Sequence, residues 1–179
     1  APDTIRIARG RKDIPLTNSA PSMKIIFSVF LALALPAMFA ADSPTYETRA
    51  NHDPDGIGKF YQGREIAHVM GHQGADWLER PERTTEEAPD KLVELLQLKP
   101  GDNVADIGAG TGYMTWRMAK RVQPGGKIYA VDIQPEMIDV LKEQMKERSI
   151  TNVVPVLGTI TDPKLPANSI DLVLLVDVY

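Results

Sequence analysis

From residue 90 onward, the apolar positions alternate between helical stripes and short runs. Leu92, Leu95 and Leu96, with Val93 and Leu98 beside them, predict a helix over residues 90–98. Lys99-Pro100-Gly101-Asp102 stops it. Val104, Ala105 and Ile107 then form a short apolar run, the first strand of the series. Met114, Met118 and Val122 recur every four residues and predict a crossover helix over 114–122. After the turn Gln123-Pro124-Gly125-Gly126, residues 127–132 predict a second strand. Pro135 suits the first turn of a helix running to about Arg148, with Met137, Ile138, Leu141 and Met145 as its inner face. Residues 152–157 predict a third strand and 171–176 a fourth, whose continuous apolar run suits burial on both faces. The stretch between them is too short and Pro-rich for a good helix. This alternation predicts an α/β fold: a Rossmann-like, doubly wound parallel sheet with right-handed crossovers.

Upstream the pattern is weaker. Ile66, Val69 and Met70, with Trp77 and Leu78 further on, fall at helical spacing, while Gly71 and Gly74 interrupt it. Residues 59–98 are therefore expected to form a helical, lid-like segment. His68 and His72 would share a helical face with Glu65 one turn earlier, but the H-E-x-x-H arrangement is missing and no metal site is assigned. The run ERPERTTEE reads first as a solvated face with local ion pairs. In the alternative, Arg80 and Arg83 clamp a carboxylate of a cofactor or substrate. Thr84 or Thr85 is expected to cap the helix that follows.

Residues 42–58 are polar and carry Pro44, Pro54, Gly56 and Gly58, as a linker would. Residues 23–41 read as a secretory signal peptide: Lys24 precedes an apolar run from Ile25 to Leu35, Pro36 breaks it, and Ala37, Ala40 and Ala41 follow. That implies export, and contact with membrane only through this segment. Residues 1–22 show no apolar periodicity and are expected to be an unstructured or upstream-translated tail.

The chain of 179 residues suits one domain with appendages. Its net charge of −4 and lack of a Lys/Arg block argue against nucleic acid as the main partner. With no cysteine, disulfides, thiolate catalysis and cysteine-based zinc sites are excluded. Nothing in the composition fixes an oligomeric state.

The candidate chemistry lies in VADIGAGTGY, Val104 to Tyr113. Gly108, Gly110 and Gly112 stand at alternate positions between a strand and a helix, a turn that brings backbone amides toward a ligand. A dinucleotide fingerprint wants its third glycine where this chain has Tyr113. Asp106, two residues before the first glycine, would face a pyrophosphate with like charge, and suits a ligand that is cationic or zwitterionic near the turn. Asp132, twenty residues beyond Gly112 and at the end of the next apolar run, can accept hydrogen bonds from ribose hydroxyls. The amino acid head and sulfonium of S-adenosylmethionine (SAM) meet both conditions.

Residues 95–179 resemble the N-terminal half of a class I SAM-dependent methyltransferase. LQLKPGDNVADIGAGTGY is similar to that family's first motif, IYAVDIQPEMI to its second-strand motif and NSIDLVLLVDVY to its fourth-strand motif. The nearest groups are the ubiquinone/menaquinone methyltransferases and, more distantly, the protein-L-isoaspartate methyltransferases. The resemblance implies that Asp106, Gly108, Ala109, Gly110 and Gly112 hold the methionine end of SAM. Asp132 would hold the ribose, and Ile133 would pack on the adenine. Tyr113 would close over the amino acid portion or, equally, pack at the helix start, and backbone around Thr159 would serve the adenine, since Asp162 falls late for that role. Asp177, at the end of the fourth strand, is the candidate for orienting an unidentified acceptor, a small molecule or a protein. The upstream segment would cover the cofactor or line the acceptor pocket. The family's sheet has seven strands, so residues 99–179 are expected to be an incomplete domain. One edge of the fourth strand would be open, folding marginal and activity slight. Two rival readings are a non-catalytic SAM-binding module and an NAD-dependent oxidoreductase.

Overall fold

The computed structural model describes residues 5–9 and 46–178. The signal-like segment 23–41 lies outside them. In chain order the strands are β1 (Ile5–Arg9), β2 (Tyr46–Thr48), β3 (Gly56–Tyr61), β4 (Arg64–Ala67), β5 (Asn103–Ile107), β6 (Lys127–Asp132), β7 (Val153–Leu157) and β8 (Leu172–Val176). The helices are α1 (Ala75–Leu78), α2 (Arg83–Glu87), α3 (Pro89–Leu95), α4 (Thr115–Arg121) and α5 (Pro135–Glu147), with a 3-10 turn at His72–Gly74 before α1. They fall into two compact units: residues 46–68, and residues 5–9 with 69–178.

The first unit is an antiparallel sheet in the order β2-β3-β4. Gln62 (φ 50°) and Gly63 (φ 79°) link β3 to β4. Positive φ at both residues gives a turn whose twist matches a hairpin. The Tyr46 and Tyr61 rings lie 5.3 Å apart across the sheet, and the Arg49 guanidinium stands 4.1 Å from the Phe60 ring centroid. Glu65 accepts from the Asp53 and Gly58 amides, at 3.0 and 2.8 Å. Two expectations are corrected here. Residues 42–58 are not wholly linker, since they contain β2 and the start of β3. The start of the helical segment expected over residues 59–98 is instead a hairpin, because Gln62-Gly63 supplies a turn and the aromatic and β-branched flanks suit strands. His68 follows β4 and His72 begins the 3-10 turn, so they share no helical face. Among the described residues no group of three or more His, Asp or Glu could hold a metal ion.

The second unit is a sheet in the order β1-β8-β5-β6-β7, with β8, β5, β6 and β7 parallel and β1 antiparallel to β8. The parallel strands and crossover helices fall where the apolar pattern placed them. Val104, Met118, Val122, Ile128, Leu172 and Leu174 are fully or almost fully buried at the centre. Met137, Ile138, Leu141 and Met145 form the buried face of α5, and Pro135 stands in its first turn. In α3 the expected stripe is rotated: Val93 and Leu96 are buried, whereas Leu95 is 66% exposed.

Residues 5–9 correct the unstructured reading of the N-terminal stretch. Ile5 pairs with Val176 and Arg9 with Leu172, so the outer edge of β8 is occupied rather than open. All five side chains of β1 are exposed. The strand is held by its backbone ladder and by the Arg9 guanidinium, which donates to the Leu96 carbonyl. Because it buries no apolar face, it left no strong signal in the hydrophobic pattern. An edge with unpaired amides and carbonyls recruits such a strand through main-chain bonds.

Candidate functional site

The site is assembled where β5 and β6 end. These neighbouring parallel strands run in register, Val104 with Ile128 through Ile107 with Val131. Each delivers an acid to the same end of the sheet: Asp106 near the end of β5, 3% exposed, and Asp132 at the end of β6, 7% exposed. In an open α/β sheet this carboxyl-terminal end is where ligands bind.

The glycine turn joins the two strands. The amides of Gly108 and Ala109 both donate to the Val131 carbonyl, at 2.8 and 2.9 Å. Gly108 and Gly110 have φ of 71° and 55°, a region that side-chain-bearing residues rarely adopt. A Cβ at Gly108 would lie 2.2 Å from Val178 Cγ2, and one at Gly110 would lie 3.0 Å from Leu78 Cδ1. The space freed by these glycines is therefore taken by the chain's own side chains, one from beyond β8 and one from α1.

Asp132 ties the turn to the next helix. Its Oδ2 accepts from the Gly110 amide at 3.0 Å and its Oδ1 from the Gln134 amide at 3.0 Å. A carboxylate has about four acceptor positions, so each oxygen retains capacity for a hydroxyl. Asp106 Oδ2 accepts from the Thr115 hydroxyl at 2.6 Å. Burial pushes the Asp106 carboxyl up to about 6; the Thr115 bond and the Arg83 charge pull it down, while the Asp132 charge adds to the rise.

The other residues expected at the site are placed as follows. Ala109 is buried in the turn and Ile133 is 37% exposed beside Asp132. Tyr113 is 6% exposed. Its ring is flanked by the Arg83 and Arg117 guanidiniums, each 4.1 Å from the centroid, and its hydroxyl lies 3.3 Å from Thr84 Oγ1. That is a packed position rather than a mobile cover. Thr159 closes a small turn of its own, its amide and hydroxyl both donating to the Asp162 carbonyl, at 2.8 and 3.2 Å. Asp177 sits in the bend after β8 with φ 53°.

Several participants were not assigned to the site from the sequence. Leu78, at the end of α1, packs on Gly110, and Glu79 beside it accepts from the Thr111 hydroxyl at 2.5 Å. Gln134 fastens the preceding loop: its side chain accepts from the His72 amide at 3.0 Å and donates to the Met70 carbonyl at 2.8 Å. Thr115 could have been found as a hydroxyl one turn into the helix that follows the glycines. The contacts of Gln134 and Glu79 span more than thirty residues of sequence each and follow from no local pattern.

Two buried acids at the ends of adjacent parallel strands, joined by a glycine turn, define a Rossmann-like nucleoside-cofactor domain. Residues 104–179 match the family model described as "Methyltransferase domain", and this part of the chain is similar to the class I SAM-dependent methyltransferases. A solved SAM-dependent methyltransferase from Aquifex aeolicus is similar over 57% of this chain and 54% of its own, with a TM-score of 0.54 and 28% identity. A protein-L-isoaspartate O-methyltransferase of Aeropyrum pernix is 37% identical over 67 residues, 37% of this chain and 26% of the relative. Nocamycin O-methyltransferase of Saccharothrix syringae is 35% identical over 83 residues, 46% of this chain and 30% of the relative. The chain thus spans less than a third of either curated relative's length.

SAM is the cofactor of this class, and the residues present fit it. Asp132 has acceptor capacity left for ribose hydroxyls, and the buried carboxyl of Asp106 suits an ammonium. The Ile133 side chain offers an apolar surface next to Asp132.

Proposed function

We propose that the chain contributes the cofactor-binding half of a SAM-dependent methyltransferase acting on a small molecule or a protein group. The observation that carries this reading is the pair Asp106 and Asp132, both buried at the same end of β5 and β6, with Asp132 bonded to the glycine turn at Gly110.

SAM supplies a methyl carbon on a sulfonium. The protein's work is to fix that cofactor, aim it and keep water out. Asp132, already oriented by two backbone amides, receives the ribose. Asp106, held by Thr115, favours the cationic amino acid head. Ile133 shields the base. Asp177, at the carboxyl end of β8, is in this reading the residue that orients the acceptor. The acceptor class stays broad because the relatives' names span both kinds: an isoaspartyl protein group in one, nocamycin in another. The signal-like segment 23–41 supports export of the domain in this reading.

The test is calorimetric titration of SAM into the full chain, with NAD as the comparison ligand. Micromolar SAM binding without NAD binding is expected. Asp132→Asn should weaken it about 10- to 100-fold, the loss expected on removing a charged hydrogen-bond acceptor. NAD binding, or no nucleotide binding by a folded chain, would overturn the reading.

A further inference from the structure

We propose that Thr115 is the positioning residue that makes Asp106 competent to receive the cofactor's ammonium group, by donating its hydroxyl to the carboxylate; this rests on the SAM reading above.

The two residues stand nine positions apart, on either side of the glycine turn. Asp106 is 3% exposed near the end of β5, and Thr115 is fully buried at the start of α4. The Thr115 hydroxyl donates to Asp106 Oδ2 at 2.6 Å, a length typical of a bond to a charged oxygen. The two acids of the site are served differently. Asp132 accepts from two backbone amides, which depend on no side chain. Asp106, among the described residues, accepts only from Thr115, and only through Oδ2. Its second oxygen is left for the ammonium, and its state hangs on a single hydroxyl.

Charge shows why that hydroxyl matters. A buried acid falls back on its neutral form, because water no longer stabilises the charge. A neutral carboxyl attracts an ammonium only weakly. Burial has the largest influence on Asp106 and places its carboxyl at about 6. The Thr115 bond comes next, ahead of the Arg83 charge from α2, and both favour the ionised form; the Asp132 charge from β6 opposes them. Arg117, on α4 with Thr115, is committed to Asp90 and the Tyr113 carbonyl, at 3.2 and 2.6 Å. Without the hydroxyl, Asp106 would take up its proton at a higher pH, nearer neutrality. Valine has nearly the shape of threonine and no donor, while serine keeps the donor and loses the methyl group, so the two substitutions separate the bond from the packing.

The experiment is calorimetric titration between about pH 5 and pH 7.5, with the full chain and its Thr115→Val and Thr115→Ser variants. The ligands are SAM and 5′-methylthioadenosine, which keeps the ribose and base but lacks the amino acid head, and so reports on Asp132 without Asp106. Wild type should lose SAM affinity by about 10-fold per pH unit below about pH 6, since the ionised fraction of Asp106 falls at that rate. Thr115→Val should begin that loss at a higher pH and bind SAM about 10-fold more weakly than wild type at pH 6. Thr115→Ser should restore the wild-type profile, and all three proteins should bind 5′-methylthioadenosine alike. A wild-type SAM affinity that stays constant down to pH 5 would overturn the role of Thr115 without any variant. Thr115→Val with the wild-type profile would overturn it too. So would Thr115→Ser that behaves as Thr115→Val does, or Thr115→Val that weakens both ligands equally, the mark of a purely structural position. All of these outcomes leave the SAM reading standing. Wild type that binds neither ligand would overturn that reading, and this role with it.

Discussion

Asp106 is an acid placed where water has been removed, and its behaviour follows from that. Its folded value of about 6 lies above the 3.8 of a free carboxyl, chiefly because burial disfavours the charge. Between those two values the folded state binds the proton more tightly than the unfolded chain. Its contribution to stability is therefore complete below about pH 4 and is lost as pH rises through about 6. Asp106→Asn removes this titration and keeps a partner for Thr115. The difference in unfolding free energy between wild type and Asp106→Asn is expected to move against wild type across that window, by up to about 1.4 kcal/mol per pH unit. Urea melts at pH 4 and pH 7 check it; equal differences at both would show that Asp106 is not buried as described. Asp106 and Asp132 were both legible in the sequence, because an acid at the end of an apolar run is a local pattern. Arg83 was legible only as one of two arginines in a charged run. What distinguishes it is burial against Tyr113, and no spacing rule encodes that.

At the scale of elements, the parallel strands and the two crossover helices were readable because each buries a face. Met118 and Leu141 are fully buried, as their spacing required. The segment before α2 was misread for a physical reason: its apolar residues do not face one core. Val69, Met70 and Trp77 are 65%, 43% and 54% exposed, and only Leu78 reaches the glycine turn. Hydrogen bonds hold the loop before α1 instead, and Gln134 supplies two of them. Gln134→Ala should release the Met70 carbonyl and the His72 amide. The cost is about 1 kcal/mol for each bond lost, felt locally rather than in the core. Hydrogen exchange is expected to speed up at His72 and stay unchanged at Ile128. Unchanged exchange at His72 would mean that the loop is held by something other than Gln134.

For the molecule as a whole, β1 decides how the sheet ends. Replacing Ile7 with Pro removes a ladder donor and restricts the backbone. It should detach β1 and leave the edge of β8 unpaired. The expected result is faster amide exchange in β8 and concentration-dependent self-association, seen by light scattering, since an unpaired edge pairs readily with another chain. A variant that stays monomeric with β8 still protected would show that β1 is dispensable there. The pairing of Ile5 with Val176 also has a kinetic side. Nearly all of the domain lies between those two residues, so the loop that β1 closes is among the longest the chain can form. Such a contact gains nothing until β8 is already seated on β5. The edge strand should therefore be the last part of the sheet to arrive during folding and the first to leave when the protein begins to open.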